Sequence, residues 1–244
     1  MRKFFVALAT IATASAANAA DLPQGPVYKA AVAQPAFSWT GLYIGANAGG
    51  SWGRRCWTFI DTVPAVGLAG PLNEGCHDPS GAILGGQVGF NWQTGPIVFG
   101  LEAQGDWANL RGQNPSLLPS PPFPPSINRT RVDSLGLFTG RIGYAWGPSL
   151  IYAKGGAAVV HDRDDFTPTA PPAASTFAGE TRWGGTIGGG VEYKFTQNLS
   201  GALEYNYVGL GKSRITFPSQ PLAAIVDTDK DMHLVTVRIN YSFR

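Results

Sequence analysis

The sequence predicts an all-β fold: an eight-stranded antiparallel up-and-down transmembrane β-barrel with short periplasmic turns and four long extracellular loops. Three observations predict it. Eight segments alternate apolar and polar residues with a period of two, and the links between these segments are short and long in strict alternation. The composition, with 32 Gly, 11% aromatic and 14% charged residues, is also unusual for a soluble helical protein.

The N-terminus has the features of a secretory signal peptide. Two basic residues precede the apolar run FFVALATIA, and small residues follow, ending in Ala17-Asn18-Ala19. A retained membrane helix would need about 20 apolar residues, so this stretch is too short. We therefore expect a cleaved signal peptide at 1–19, a flexible Pro-rich periplasmic leader at 20–37 and the outer-membrane β-barrel domain at 38–244.

Charge and hydropathy argue against two classes of protein. Removing the two basic residues of the signal from the 18 Lys and Arg leaves a number equal to the 16 Asp and Glu. This balance gives no reason to expect a nucleic-acid partner. The mature chain has no run of 18 apolar residues, which argues against a helical membrane protein.

The eight alternating segments are each long enough to cross the hydrocarbon of a bilayer when tilted by about 45°. Three links between them are tight turns, at 94–96, 147–149 and 196–198, and the other four run to about 20 or more residues. This asymmetry is typical of outer-membrane barrels, whose turns and both termini are periplasmic. The segments lie at 42–52, 82–92, 97–107, 138–146, 151–159, 183–195, 202–207 and 235–243.

The polar faces of these segments carry charges that we predict to point into the lumen. Each such charge would cost about 2 to 4 kcal/mol at the bilayer mid-plane if it faced lipid. The alternative, a soluble barrel with its apolar faces inside, would crowd a lumen that eight strands barely leave open. The predicted lumen charge network is Glu102, Asp106, Arg141, Lys154, Glu192, Lys194, Glu204 and Arg238.

Aromatic residues cluster towards the segment ends, where membrane barrels have interfacial girdles. The predicted girdle consists of Trp52, Trp92, Trp107, Trp146, Trp183, Tyr193, Tyr207 and Tyr241.

Cys56 and Cys76 are the two cysteines, and both fall in the first long link. In an oxidising compartment they predict a disulfide that closes a loop of about 20 residues and stabilises the fold by roughly 3 kcal/mol. Two free thiols, or a metal pair with too few ligands, are the alternatives.

The chain has three histidines. His77 and His161, expected in loops, could take part in a loop-borne haemin site, whereas His233 is expected at the start of the last strand. The alternative is that each is a solvated surface side chain. The run PSLLPSPPFPPS at 115–126 is either an extended recognition segment or a stiff surface loop.

Five stretches resemble the alphaproteobacterial porin-family surface antigens, which belong to the opacity-type outer-membrane β-barrels. They are FSWTGLYIGANAGGSWG (37–53), GAILGGQVGFNWQTG (81–95), TGRIGYAWG (139–147), TIGGGVEYKFTQNLSGALEYNYVGLG (186–211) and VRINYSF (237–243). The resemblance implies a surface-exposed envelope protein whose barrel is too narrow for an open channel. Some members are reported to bind haemin, and others contribute to envelope integrity or host interaction.

In this family the barrel-assembly machinery reads an aromatic C-terminus, which implies that Phe243 is the assembly signal. Arg244 follows it here, a departure that puts the efficiency of this signal in question.

The sequence thus favours a structural outer-membrane barrel, monomeric or weakly oligomeric, that supports the envelope and displays surface loops. Its surroundings would be outer-membrane lipid and lipopolysaccharide, and no resident cofactor is expected. The alternatives are a narrow small-solute porin, with some of the lumenal charges as a selectivity network, and a loop-borne receptor for haemin or a host surface. An enzyme such as a barrel protease or acyltransferase would need a Ser-His or Asp-His constellation at one rim, and the sequence shows no catalytic spacing that survives placement on the strands.

Overall fold

The computed structural model describes residues 37–59, 62–63, 68–117, 125–168, 176–217 and 224–243. In these ranges the chain forms eleven strands: β1 Gly41–Phe59, β2 Thr62–Val63, β3 Leu68–Ala69, β4 Leu72–His77, β5 Ser80–Thr94, β6 Ile97–Pro115, β7 Ser126–Trp146, β8 Ser149–Pro168, β9 Thr176–Lys194, β10 Leu199–Phe217 and β11 Ala224–Ser242. The part of the chain described contains no helix long and apolar enough to span a membrane.

Eight of these strands form a closed antiparallel ring. The order is β1-β5-β6-β7-β8-β9-β10-β11, and β11 pairs back onto β1 through contacts such as Ala46 opposite Ile239. β5 pairs with β1 as far as Trp52, which lies opposite Ser80. Further along β1, residues 55–59 pair with β4 instead. Each predicted segment coincides with one strand of the ring, apart from Phe195 and Phe243, which lie one residue past the ends of β9 and β11, so the predicted barrel is confirmed.

The two ends of the barrel differ. At one, the turn end, tight turns join β5 to β6, β7 to β8, and β9 to β10. Gly95 and Gly147 have φ of 59° and 58°, left-handed values that favour glycine in such turns. At the other, the hairpin end, the strands continue well past the predicted segments.

The predicted long links are in good part strand. The link after Trp107, for example, contains strand as far as Pro115 and again from Ser126. The sequence prediction ended each segment where the outward face stops being apolar. The backbone pairing continues past this point. Only the outward side chains change, because beyond the membrane they meet water, and residues such as Arg131 replace the apolar ones.

Side chains alternate across the wall with the apolar ones outside. Leu101 on β6 is 72% exposed, whereas the next residue, Glu102, is 5% exposed. This inverts the arrangement of a soluble barrel and fits a barrel whose outer solvent is lipid.

The predicted signal peptide and the leader as far as Ala36 lie outside the described residues, as do Arg244 and most of the Pro-rich run. The predicted division of the chain into a signal peptide, a leader and a barrel domain therefore stays a prediction.

Candidate functional site in the barrel interior

Four charged residues from four strands form the centre of the lumen. Lys154 on β8 donates from Nζ to Oε1 of Glu102 at 2.9 Å and to Oε1 of Glu204 at 2.8 Å. Arg238 on β11 contacts the same two acids, through Nη2 to Oε2 of Glu102 at 2.6 Å and through Nη1 to Glu204. The four side chains are at most 5% exposed and alternate in sign, so that each charge lies between two opposite ones.

Arg141 on β7 extends this group towards Glu192, with 3.4 Å from Nη1 to Oε2. Its guanidinium carbon lies 4.7 Å from the ring centroid of Tyr43 and 5.1 Å from that of Tyr152. Both tyrosines donate their hydroxyl protons to the central acids, Tyr43 to Glu102 at 2.6 Å and Tyr152 to Glu204 at 2.7 Å. The predicted lumen charge network did not include these two tyrosines.

Amides and hydroxyls complete the layer. Glu192 accepts hydrogen bonds from Ser200 Oγ at 2.6 Å and Asn240 Nδ2 at 2.9 Å. Gln87 donates to Asn240 Oδ1 at 2.8 Å, and Asn47 donates to Gln87 Oε1 at 3.0 Å. We call this set the central charged layer: Tyr43, Asn47, Gln87, Glu102, Arg141, Tyr152, Lys154, Glu192, Ser200, Glu204, Arg238 and Asn240.

The structure brings six of the eight predicted lumen charges together and places the other two at its edges. Asp106, 4% exposed, lies on the hairpin side and accepts a hydrogen bond from Gln104 Nε2 at 2.8 Å. Lys194 lies at the turn end, with Nζ 4.8 Å from the centroid of the Trp39 ring and 3.2 Å from the carbonyl oxygen of Gln197. Trp39 packs there with other buried residues, including Val98 and Leu150.

Next to the central charged layer, on the hairpin side, apolar side chains pack together inside the barrel, a feature that the sequence pattern did not reveal. On β8, for example, the buried side chains that follow Lys154 along the strand are Ala158 and Val160, and the next buried one is Asp162. We call this cluster the apolar layer: Ile83, Leu110, Val132, Leu135, Leu137, Ala158, Val160, Val208, Leu210, Met232 and Leu234, all buried.

Beyond the apolar layer lies a second polar group, at the height of the strand extensions. Arg55 on β1 contacts Asp162 at 3.1 Å from Nη1 to Oδ2, and it also contacts Asp164; Lys230 on β11 contacts Asp162. Burial lowers the pKa of Arg55 to about 10, although the Asp164 charge opposes this. Arg55 therefore keeps its charge at neutral pH.

His77 and Glu74, both on β4, belong to this second polar group. His77 Nδ1 lies 2.7 Å from Asn114 Oδ1, and its Nε2 lies 3.0 Å from Thr130 Oγ1. Burial lowers the pKa of His77. It raises the pKa of Glu74 to about 7, and Glu74 Oε2 accepts a hydrogen bond from Asn128 Nδ2. We call the group the upper polar layer: Arg55, Glu74, His77, Asn114, Asn128, Thr130, Asp162, Asp164 and Lys230.

The expected loop positions of two histidines are wrong. His77 lies on β4 and is 7% exposed, and His161 lies on β8 with Nδ1 3.0 Å from Thr181 Oγ1. His77 belongs to a separate short strand and His161 to an extension of β8, and the alternation revealed neither. His233 lies in the middle of β11 rather than at its start, stacked on Trp52 with ring centroids 5.7 Å apart. The described residues contain no group of three or more His, Cys, Asp or Glu that could hold a metal ion.

The disulfide between Cys56 and Cys76 is confirmed. The two residues lie directly opposite each other on β1 and β4, with Cα atoms 4.1 Å apart. Their neighbours Arg55 and His77 are also paired in register, so the bond holds β4 over the upper polar layer.

The eight predicted girdle aromatics all point outward, at two heights. At the hairpin side are Trp52, Trp107, Trp183 and Tyr207, and at the turn end are Trp92, Trp146, Tyr193 and Tyr241. Phe243 is also outward, beside Tyr241 with centroids 5.2 Å apart, and its backbone nitrogen donates to the carbonyl of Leu42 at 2.8 Å.

Sequence comparison places similar proteins in bacterial outer membranes. The family described as the outer membrane protein beta-barrel domain matches residues 4–243. A 31 kDa outer-membrane immunogenic protein of Brucella melitensis is 30% identical over 98% of this chain and 99% of its own. A 22 kDa outer membrane protein of Rhizobium leguminosarum is 30% identical over 71% of this chain and 65% of its own.

Two solved structures share the fold at low sequence identity. The outer membrane protein OprG from Pseudomonas aeruginosa gives a TM-score of 0.52 at 14% identity, covering 84% of this chain and 97% of its own. The outer membrane protease OmpT from Escherichia coli gives 0.52 at 9% identity, covering 83% and 97%. At such identities the likeness shows the fold alone.

Proposed function

The chain belongs to the outer membrane protein beta-barrel domain family and is an outer-membrane β-barrel protein, and from this premise we propose that it is a structural barrel with a closed lumen, which supports the envelope and displays its hairpin end at the cell surface. The observation that carries this proposal is the order of layers inside the barrel. A charged layer, an apolar layer and a second polar layer follow one another along the lumen.

The apolar layer is the strongest argument against conduction. Leu137 and Leu234 are fully buried, and side chains from β5 to β8, β10 and β11 join them. A hydrated ion passing this level would have to lose its water among side chains that offer no polar partner. Eight strands leave an interior that side chains alone can fill.

The central charged layer argues in the same direction. Arg238 and Lys154 are each held by two acids, so a permeating ion would have to displace paired charges. Breaking a buried pair by removing one partner costs about 3 to 5 kcal/mol. The same pairing ties β6, β8, β10 and β11 together across the lumen and makes the wall rigid.

The proposed orientation follows from the asymmetry of the two ends. Short turns and both chain ends would lie in the periplasm, and the hairpin end would face outward. Surface display accords with the names of the Brucella relatives, outer-membrane immunogenic proteins. The C-terminal strand, ending in Phe243, would be the element that the assembly machinery reads, and the barrel would act as a monomer or weak oligomer.

We further propose that the protein is not an enzyme. The described histidines bond to Asn114, Thr130, Thr181 and Tyr205, and the sequence offers no catalytic spacing that would make these pairs part of an active site. The burial of His77 also removes one of the two candidates for a loop-borne haemin site.

Two experiments test the proposal. Proteoliposomes that contain the refolded protein should not swell in arabinose faster than empty liposomes, and fast swelling would favour the small-solute porin. A strain that lacks the protein should become more sensitive to SDS with EDTA and recover when the gene is restored. Unchanged resistance would contradict the envelope role.

A further inference from the structure

Four arginines lie on the outer surface of the barrel, beyond the hairpin-side girdle. Arg111 on β6 is directly opposite Arg131 on β7, which is directly opposite Arg163 on β8. Arg129 lies two residues beyond Arg131. We call these four residues the arginine strip. Three of them, Arg111, Arg129 and Arg131, line a shallow depression of about 440 Å³ together with Gln113, Thr130 and Asp165.

The strip concentrates positive charge that the protein only partly neutralises. Asp133 accepts from Arg131 Nε at 2.6 Å and lies 3.3 Å from Arg163 Nε. Asp165 is opposite Arg129 in the register. Within the described ranges Arg111 makes no ion pair. Like charges directly opposite each other destabilise a sheet. Repulsion among Arg111, Arg131 and Arg163 therefore destabilises the pairing of β6, β7 and β8 at this level, and a bound anion would reduce that repulsion.

The four guanidinium groups are oriented but not saturated. Arg111 donates from Nε to Asn109 Oδ1 at 3.0 Å, and Arg129 donates from Nε to Gln113 Oε1 at 3.2 Å. Arg131 and Arg163 also use Nε, towards Asp133. In the part of the chain that the structure describes, none of their Nη atoms has a hydrogen-bond partner. A planar fork held in this way suits the oxygens of a phosphate group.

The height of the strip matches the lipid headgroups. Trp107 is opposite Ser134, and Ser134 is opposite His161, which fixes the girdle level on the three strands. Arg111, Arg131 and Arg163 lie two to four residues beyond this level, or about 5 to 9 Å at ~3.3 Å per residue and a tilt of about 45°, and Arg129 lies five residues beyond it. The headgroup region of one leaflet is about 5 to 8 Å thick.

We propose that the arginine strip binds the phosphate groups of a phosphorylated glycolipid of the outer leaflet, the lipid A part of lipopolysaccharide. The proposal rests on the orientation proposed above but not on the closed lumen. A conducting barrel could bind this lipid, and a closed barrel could fail to bind it. The two proposals can therefore fail separately.

The test measures retention of bisphosphorylated lipid A by the refolded protein in phosphatidylcholine nanodiscs, with dephosphorylated lipid A as the reference. Each arginine of the strip that pairs with a lipid A phosphate should contribute roughly a fivefold change in binding. Arg131→Gln should therefore weaken retention about fivefold, and the triple variant Arg111→Gln/Arg131→Gln/Arg163→Gln by more than tenfold. Arg54→Gln, an exposed arginine on β1 outside the strip, is the matched control and should leave retention unchanged.

Asp133→Asn provides a change of opposite sign, because it removes the acid that competes for Arg131 and Arg163 and should strengthen retention. Heat-modifiable gel mobility establishes that each variant is folded. Equal retention by the wild type and the triple variant would overturn the proposal. So would equal retention of dephosphorylated lipid A, displacement of the lipid by millimolar inorganic phosphate, or tighter binding of soluble heparin than of lipid A.

Discussion

Arg238 and Glu102 are 136 residues apart in the chain, yet Nη2 of the arginine lies 2.6 Å from Oε2 of the glutamate. They belong to β11 and β6, strands separated in the ring by β1 and β5. The pair therefore spans the lumen rather than bridging neighbouring strands. It therefore connects two non-adjacent strands of the barrel wall through their lumenal side chains.

Removal of Arg238 should be strongly destabilising. In the variant Arg238→Gln the buried acids Glu102 and Glu204 share Lys154, and Arg141 lies 4.0 Å from Glu102. Both acids lose one charged partner, and removing one partner of a buried pair costs about 3 to 5 kcal/mol. Urea titration of the protein folded in lipid vesicles measures the free energy of unfolding. Arg54→Gln, an exposed arginine, is the control and should change it by less than about 0.5 kcal/mol. A stable Arg238→Gln barrel would show that the central charged layer does not hold the wall together.

The apolar layer should respond to the loss of side-chain volume. Leu137→Ala and Leu234→Ala each leave a cavity among fully buried neighbours and should cost about 2 to 5 kcal/mol. Leu117→Ala is the control, because Leu117 is 64% exposed and lies beyond the end of β6. Costs below 1 kcal/mol for both interior variants would mean that this layer is loosely packed.

Reduction of the disulfide should loosen one end of the barrel and leave the ring closed. Cys56 and Cys76 are 20 residues apart, and a crosslink over a loop of this length contributes about 3 kcal/mol in the entropy model. In a Cys56→Ser/Cys76→Ser variant, hydrogen exchange should accelerate in β4 and the end of β1. Exchange in β6 to β8 should stay slow. Loss of heat-modifiable mobility on reduction would contradict this local role.

Glu74 should make the upper polar layer sensitive to pH. Burial raises its folded pKa from 4.5 to about 7, so the folded state binds the proton more tightly than the open state. As pH rises from about 4.5 to 7, the stability of β4 should fall by an amount on the order of 3 kcal/mol, and it should be level above that range. His77, with a lowered pKa, contributes with the opposite sign.

The difference between the wild type and Glu74→Gln therefore isolates the contribution of Glu74. Hydrogen exchange of β4 at pH 5 and pH 7.5 should show a smaller loss of protection in the variant. An identical pH response in both proteins would mean that burial does not raise the pKa of Glu74 in the folded state.

The strands were predictable because their signal is local. Outward Leu101 and inward Glu102 differ by one residue in the sequence and lie on opposite sides of the wall. Strict alternation of short and long links then indicated an up-and-down ring, and the cysteine spacing in a secreted chain indicated the disulfide.

The remaining features depend on relationships that no local pattern contains. The sequence indicated that Glu102 and Arg238 share the lumen, but strand tilt and register across the barrel decide which charges meet. The run Leu135-Gly136-Leu137-Phe138 puts apolar residues on both faces, so the alternation stops there and the apolar layer went unpredicted. The arginine strip is formed by residues that are adjacent only after β6, β7 and β8 have paired beyond the membrane.

Single-channel recording tests the closed lumen most directly. The refolded mature protein, shown by unboiled gel mobility to be closed, is inserted into a planar bilayer in 1 M KCl. With its apolar layer intact it should give no discrete current steps at any moderate voltage. Reproducible steps of constant size, absent when the protein is boiled before insertion, would contradict the closed barrel and make Glu102, Arg141 and Arg238 the residues to test for ion selectivity.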